Sequence, residues 1–220
     1  KRAASVDRRI FEYPEEATHY LRAHDKRLGA VIDAIGPIQR AVDADLFSSL
    51  VNSIVGQQIS TKAHQTIWMR MLDELGAITP EKVAACSRED LQKFGTTFKK
   101  VDYLKSAADK VLSGEFDLRA LEDLPDEELC CRLCTLKGVG VWTAEMLMTF
   151  SMQRMDVISF GDLAILRGLR MVYHHRVITR DLFAKYQRRY SPYATVASLY
   201  LWAVAGGALE GMKDYAPKKK

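Results

Sequence analysis

Leu136-Lys137-Gly138-Val139-Gly140-Val141-Trp142-Thr143-Ala144-Glu145 is the stretch on which the fold turns, and Ile158-Ser159-Phe160-Gly161-Asp162-Leu163 follows about twenty positions later. A Gly-x-Gly turn that opens a helix presents bare backbone N–H groups, which suits a phosphate. Glycines at Gly138 and Gly140 permit positive φ and let a ligand approach without a Cβ in the way. A carboxylate nearby in the chain, Asp162, can then act on whatever that phosphate carries.

Outward from this stretch the apolar spacing is helical almost throughout, with no alternating strand pattern. It predicts helices over Glu15–Ala23 and Arg27–Ile35, the second stopped by Gly36-Pro37. Another begins after Asp45 and is interrupted at Gln57-Gln58. Ser60 reads as the N-cap of a long helix from Thr61 to about Leu75, closed by Gly76. Shorter helices follow at Pro80–Ala85 and Ser87–Lys93, then an amphipathic one over residues 98–112. Pro125 sits where a helix over 126–134 begins, a position at which a missing N–H costs nothing. The quoted turn comes next, then helices from Val141 to about Met152, Leu163–Val172, Arg180–Arg189 and Pro192–Ala205. The expected class is all-α. A Gly-x-Gly between two helices, without a preceding strand, removes the dinucleotide- and nucleotide-binding readings of that motif.

The chain has 220 residues, 48% hydrophobic and 27% charged, an ordinary globular balance with enough length for a sizeable core. Its net charge of +4 permits an anionic partner without demanding one. No apolar run approaches the ~18 residues needed to span a bilayer, and no signal-peptide pattern heads the chain. The four cysteines are Cys86, Cys130, Cys131 and Cys134. Cys131-x-x-Cys134 has metal-like spacing, but a second pair is missing and the segment reads as helix, so free thiols are expected.

The string L-x-G-V-G-x-x-T-A resembles the hairpin of the helix–hairpin–helix DNA glycosylase superfamily. Within it the chain is similar to the 3-methyladenine DNA glycosylase II branch, which repairs alkylated DNA. Three further stretches carry the likeness over roughly residues 45–205: Ser53-Ile54-Val55-Gly56-Gln57-Gln58-Ile59-Ser60, Asp156 through Asp162, and Arg189-Tyr190-Ser191-Pro192-Tyr193 with Ser198 through Trp202.

The resemblance implies a role for each residue. Asp162 would be the catalytic carboxylate. Trp142 stands where bifunctional members carry a lysine nucleophile, and tryptophan cannot form a Schiff base, so the implied enzyme is monofunctional. Gln57 or Gln58 would fill the gap left by a flipped base; Ser60, Lys137, Gly138, Val139, Gly140 and Thr143 would meet the DNA strand. Trp202 would stack on the flipped base, with Met146, Glu145, Trp142 and Phe160 completing the base pocket. Met146 replaces a tyrosine of one branch, and Gln58 an apolar wedge. The iron–sulfur cysteines of the endonuclease III-like members are absent, so no cofactor is expected. The carbonyls of Cys134, Leu136 and Val139 match positions that bind a monovalent cation, Na+ or K+, in relatives.

Plainer readings stand beside these. Asp162 also reads as a helix N-cap, Trp202 as core, and Trp142 as core or a residue behind the pocket. His174 and His175 read as surface. Lys99, Lys100 and Lys105 read as phosphate contacts or a solvated face.

The fold expected is thus an all-α, two-lobed helix–hairpin–helix glycosylase unit with its active site in the cleft between lobes. Residues 45–155 would form the central lobe, 1–44 plus 156–212 the second, and 213–220 a basic tail. The expected function is hydrolysis of the N-glycosidic bond of alkylated bases of the 3-methyladenine and 7-methylguanine type. The partner would be double-stranded DNA containing a damaged base, met by a monomer inside the cell, in bacterial cytoplasm or nucleus. A glycosylase for uracil, hypoxanthine or an oxidised purine is one alternative, and a non-catalytic DNA-binding module is another.

Overall fold

The computed structural model describes residues 9–217; Lys218–Lys220 of the expected tail lie outside them. The described residues form helices α1 (Glu15–His24), α2 (Lys26–Ile35), α3 (Leu46–Gly56), α4 (Thr61–Leu75), α5 (Pro80–Ala85), α6 (Arg88–Lys93), α7 (Phe98–Leu112), α8 (Asp126–Leu133), α9 (Val141–Phe150), α10 (Leu163–Tyr173), α11 (Arg180–Tyr190) and α12 (Ala194–Ala205). The only regular departure among them is a ladder of two two-residue strands, β1 (Arg9–Ile10) antiparallel to β2 (Ala41–Val42). Two residues have no alternation to detect, so the sequence pattern was silent there.

Helix starts follow side-chain capping. Asp25, Asp45, Ser60, Thr79, Ser87, Thr97, Asp162 and Thr179 each accept first-turn backbone amides of the helix they precede. Two boundaries move from those expected. α9 stops at Phe150 rather than near Met152, and α12 starts at Ala194 rather than Pro192. At α12 the cap comes from elsewhere in the chain: Asp156 Oδ1 accepts the Ala194 amide at 3.1 Å, and Oδ2 accepts the Ser191 hydroxyl at 2.5 Å.

The described residues divide into two compact units, 9–42 with 148–217, and 43–147. The division falls inside α9, earlier than the expected boundary at 155, because helix periodicity gives no sign of where one core ends.

In the first unit the core gathers Leu21, Ile32, Ile165, Leu169, Tyr200 and Leu201 from α1, α2, α10 and α12. α10 and α12 cross at Gly168, where an added Cβ would lie 2.5 Å from the Leu201 carbonyl oxygen. α11 is tied in by Arg189 Nη1, which donates to the buried Asp25 carboxylate at 2.8 Å. Beneath it Tyr173 and Tyr190 share a hydroxyl–hydroxyl hydrogen bond of 2.6 Å, and burial pushes both phenols up. His175, expected at the surface, is half-buried with its Nε2 2.7 Å from the Tyr186 hydroxyl. The segment from 213 is also less free than expected. Arg170 grips Asp214 through two bonds of 2.7 and 2.6 Å, which holds that carboxyl below its usual range, and His174 lies against the Tyr215 ring.

The second unit is built around α7, which packs on α3, α5 and α6. Two of its lysines meet the ends of other helices. Lys100 Nζ donates to the Val55 and Gln57 carbonyls at the C-terminus of α3, and Lys105 Nζ to the Ala84 and Cys86 carbonyls at that of α5. Lys82 likewise donates to the Leu75 carbonyl that ends α4. An ammonium at these orphan carbonyls satisfies them and opposes the negative end of the helix dipole. Lys100 and Lys105 are therefore not simply a solvated face: each ammonium is held by carbonyls of its own unit.

Candidate nucleic-acid interface and catalytic carboxylate

The hairpin lies in the second unit. Gly138 has φ +83° and its missing side chain makes room for the Tyr103 ring, which a Cβ would overlap. Gly140 differs from expectation: its φ is ordinary, and a Cβ there would meet nothing within 4 Å. Val139 is buried at 6% exposure, and its amide donates to the Leu136 carbonyl at 3.1 Å, so this residue closes the turn from inside. Thr143 is buried as well, while Lys137 is exposed. The first turn of α9, begun by the Ala144 amide on the Gly140 carbonyl, presents Val141 and Trp142 outward. Trp142, read from sequence as core or behind the pocket, is 46% exposed.

The Leu136 carbonyl keeps a lone pair after accepting Val139. An all-carbonyl set of Cys134, Leu136 and Val139 fits a hard cation such as Na+ or K+ rather than a thiophilic metal. Among the described residues no three His, Cys, Asp or Glu side chains gather as a metal site. The cysteines are free thiols. Burial, then the neighbouring Cys134, pushes Cys130 up to about 12, with Glu145 adding to the effect. Glu145 thus faces α8 thiols of its own unit.

The loop from α3 to α4 sits beside the hairpin. Gln57 Nε2 donates to the Gly138 carbonyl at 2.8 Å, so this side chain is committed to the hairpin. Gln58 is exposed and left-handed, φ +57°, a conformation that costs a side-chain-bearing residue roughly 1–2 kcal/mol. Ser60 accepts the Ala63 amide as the cap of α4. His64 packs on Gly56, and its Nε2 meets Asn52 Oδ1 at 2.5 Å.

The carboxylate lies in the first unit. Asp162 is 8% exposed; its Oδ1 accepts the amides of Ala164 at 2.9 Å and Ile165 at 3.0 Å. The same oxygen accepts the Trp202 indole N–H at 3.2 Å. The N-cap reading of Asp162 thus holds, and the oxygen that caps α10 is also the one the indole reaches. The approaching loop is fixed from α12: the Thr195 hydroxyl donates to the Arg154 carbonyl at 2.7 Å and accepts the Val157 amide at 2.8 Å, and Ser198 donates to the Val157 carbonyl.

Trp202 is half-buried, with the Phe150 ring 5.3 Å away and the Arg40 guanidinium over the Phe150 ring at 5.2 Å. Phe150 and Arg40 escaped the sequence reading. Phe150 continues the α9 face of Trp142 and Met146 at four-residue spacing, and that was the available signal. Phe160 is engaged elsewhere, edge-on to Phe183 and under the Arg180 guanidinium. Leu163, beside Asp162, is 81% exposed.

Residues 51–191 match the model of the HhH-GPD superfamily base excision DNA repair protein. The chain is 33% identical over 201 residues to DNA-3-methyladenine glycosylase 1 of Schizosaccharomyces pombe, covering 88% of this chain and 87% of that one. Among solved structures it is similar to a DNA-3-methyladenine glycosidase from Bacillus halodurans, with a TM-score of 0.83, 35% identity, and 91% and 94% of the two chains covered. It is also similar to the Schizosaccharomyces pombe 3-methyladenine DNA glycosylase in complex with abasic DNA, with a TM-score of 0.75, 29% identity, and 88% and 98% covered. With the match covering well over half of its length, this chain belongs to the HhH-GPD superfamily of base excision DNA repair proteins.

Proposed function

We propose that the protein is a monofunctional DNA glycosylase of the 3-methyladenine type II kind. It would hydrolyse the N-glycosidic bond of alkylated bases, of the 3-methyladenine and 7-methylguanine class, in damaged duplex DNA. It would act as a monomer, inside the cell where that DNA is. The observation that carries this reading is the buried Asp162 carboxylate held by Trp202 and the first turn of α10.

Cleavage passes through an oxocarbenium-like sugar with positive charge at C1′ and O4′. A carboxylate fixed in a site of low polarity stabilises that charge without reorganising and orients or deprotonates the attacking water. An N-alkylated purine is already cationic and leaves readily, so one carboxylate suffices. Trp202 would receive the extruded base, where cation–π attraction contributes about 0.5–2 kcal/mol. Phe150 buttresses it. Met146 and Trp142 keep the base-contact roles that the family resemblance implies for them. The cost of extrusion, a few kcal/mol, is least for a damaged pair, and Gln58 is the side chain left to fill the gap, since Gln57 is engaged.

The amides at Gly138 and Gly140 and the start of α9 would hold a phosphate, with Lys137 beside them, fixing register without reading sequence. Inside the protein nothing requires glycine at Gly140; a closely approaching strand does. The carbonyls of Cys134, Leu136 and Val139 would hold the monovalent cation, whose charge at the hairpin favours the phosphate.

Substituting the two glycines separates their roles. Gly138→Ala imposes a left-handed alanine and displaces Tyr103, so its melting temperature falls, by about 2–8 °C for roughly 1–2 kcal/mol. Gly140→Ala melts as wild type yet binds duplex DNA more weakly by fluorescence anisotropy. Equal melting losses in both, or undiminished binding by Gly140→Ala, would remove the phosphate role from Gly140.

The function itself is tested by incubating the protein with methylated duplex DNA and analysing released bases by chromatography. Free 3-methyladenine and 7-methylguanine are expected, with strand breaks only after alkali. Breaks without alkali would refute monofunctional chemistry; release of uracil, hypoxanthine or 8-oxoguanine instead would reassign the lesion; tight binding without release would leave a DNA-binding module.

A further inference from the structure

α7 presents two residues one turn apart to the loop and the hairpin. Lys100 Nζ holds the Val55 carbonyl at 2.9 Å and the Gln57 carbonyl at 2.5 Å; the Tyr103 ring fills the space left by Gly138. Gln57 closes the circuit through its amide on the Gly138 carbonyl, 81 residues away in sequence. The next residue, Gln58, is held left-handed immediately beyond the carbonyl that Lys100 grips. Partial burial lowers the Lys100 ammonium from its ordinary value.

We propose that Lys100 is a positioning residue for base extrusion: together with Gln57 it latches the 57–60 loop to the 138–140 hairpin, so that the gap-filling side chain and the strand anchor form one preset piece. This rests on the reading of Gln58 as the gap filler. A loop preset in this way loses little conformational freedom when the base leaves the stack. Lys100 touches neither base nor phosphate in this role. Its effect therefore falls on extrusion and not on the anchoring of undamaged duplex.

Lys105 supplies an internal control, since it makes the same pair of carbonyl bonds at the end of α5, away from the loop. Three variants, Lys100→Met, Lys100→Arg and Lys105→Met, are compared with wild type in three measurements: anisotropy on undamaged duplex, fluorescence of 2-aminopurine opposite a tetrahydrofuran abasic analogue, and single-turnover release of 7-methylguanine. Lys100→Met is expected to slow release by about 10- to 100-fold and to lose the 2-aminopurine change. Its affinity for undamaged duplex stays within about twofold, as for any substitution outside the contact surface. Lys100→Arg recovers the fluorescence change, and Lys105→Met behaves as wild type in all three.

Equal losses in Lys100→Met and Lys105→Met, or an unaltered fluorescence change in Lys100→Met, would overturn the latch. If Lys100→Met does not fold by circular dichroism, Gln57→Leu, which cuts the other end, decides the matter by the same readings. A wild type that releases no alkylated base refutes the functional reading alone, because the abasic-analogue fluorescence still reports the loop.

Discussion

Asp162→Asn should fold as wild type and release alkylated base about 10²- to 10⁴-fold more slowly in single turnover. Asparagine is as good an N-cap as aspartate, so the amides of Ala164 and Ile165 keep an acceptor, as does the Trp202 indole. What is lost is the negative charge, which is what an oxocarbenium-like sugar needs. Asp162→Ala removes more. The cap is worth about 1 kcal/mol, and the indole N–H, stripped of its acceptor inside the protein, costs about 1–3 kcal/mol. The melting temperature thus separates the two variants while activity does not. An Asp162→Asn enzyme with wild-type rate would leave Asp162 a helix cap and nothing more.

Gly168→Ala should lower the melting temperature, although alanine is the better helix former by about 1 kcal/mol. The sign is the test. Propensity alone predicts a gain, but the new methyl would sit 2.5 Å from the Leu201 carbonyl oxygen and 3.0 Å from its carbon. Those are backbone atoms and have no rotamer with which to yield, so α10 and α12 must part. Overpacking of this kind costs about 1–3 kcal/mol, or some 2–12 °C for a chain of this size. The crossing also sets the distance between the carboxylate that caps α10 and Trp202, the neighbour of Leu201 on α12. Base release should therefore fall by at least about tenfold even below the melting range. A variant with raised melting temperature and intact activity would contradict the close crossing.

Local features were legible in the sequence. Ser60 and Asp162 announced helix starts because a cap and its amides lie within three residues, and Gly138 marked the hairpin because glycine is needed where φ is positive. What sequence spacing hides is any partner supplied from a distance. Lys100 looks like a surface cation until its carbonyls, 43 and 45 residues away, are seen. Asp214 looks like part of a free tail until Arg170 grips it, and Gly168 looks like a weak helix position until α12 crosses there. Trp202 reads as core or site with equal ease, since an indole at helical spacing satisfies both, and its N–H bond to Asp162 could not be read from spacing. Gly140 was misjudged for a related reason: the motif asks for glycine, and positive φ was the ready explanation, but the backbone there is ordinary.

The lysines that close helix ends alter how this molecule meets a polyanion. Lys82, Lys100 and Lys105 are counted in the formal charge of +4, yet each ammonium rests on carbonyls at the negative pole of a helix. Each such pole carries about half an elementary charge, so their outward field is partly cancelled. These three cations are thus spent on holding helix ends together, and the positive surface open to a polyanion is set by the remaining lysines and arginines.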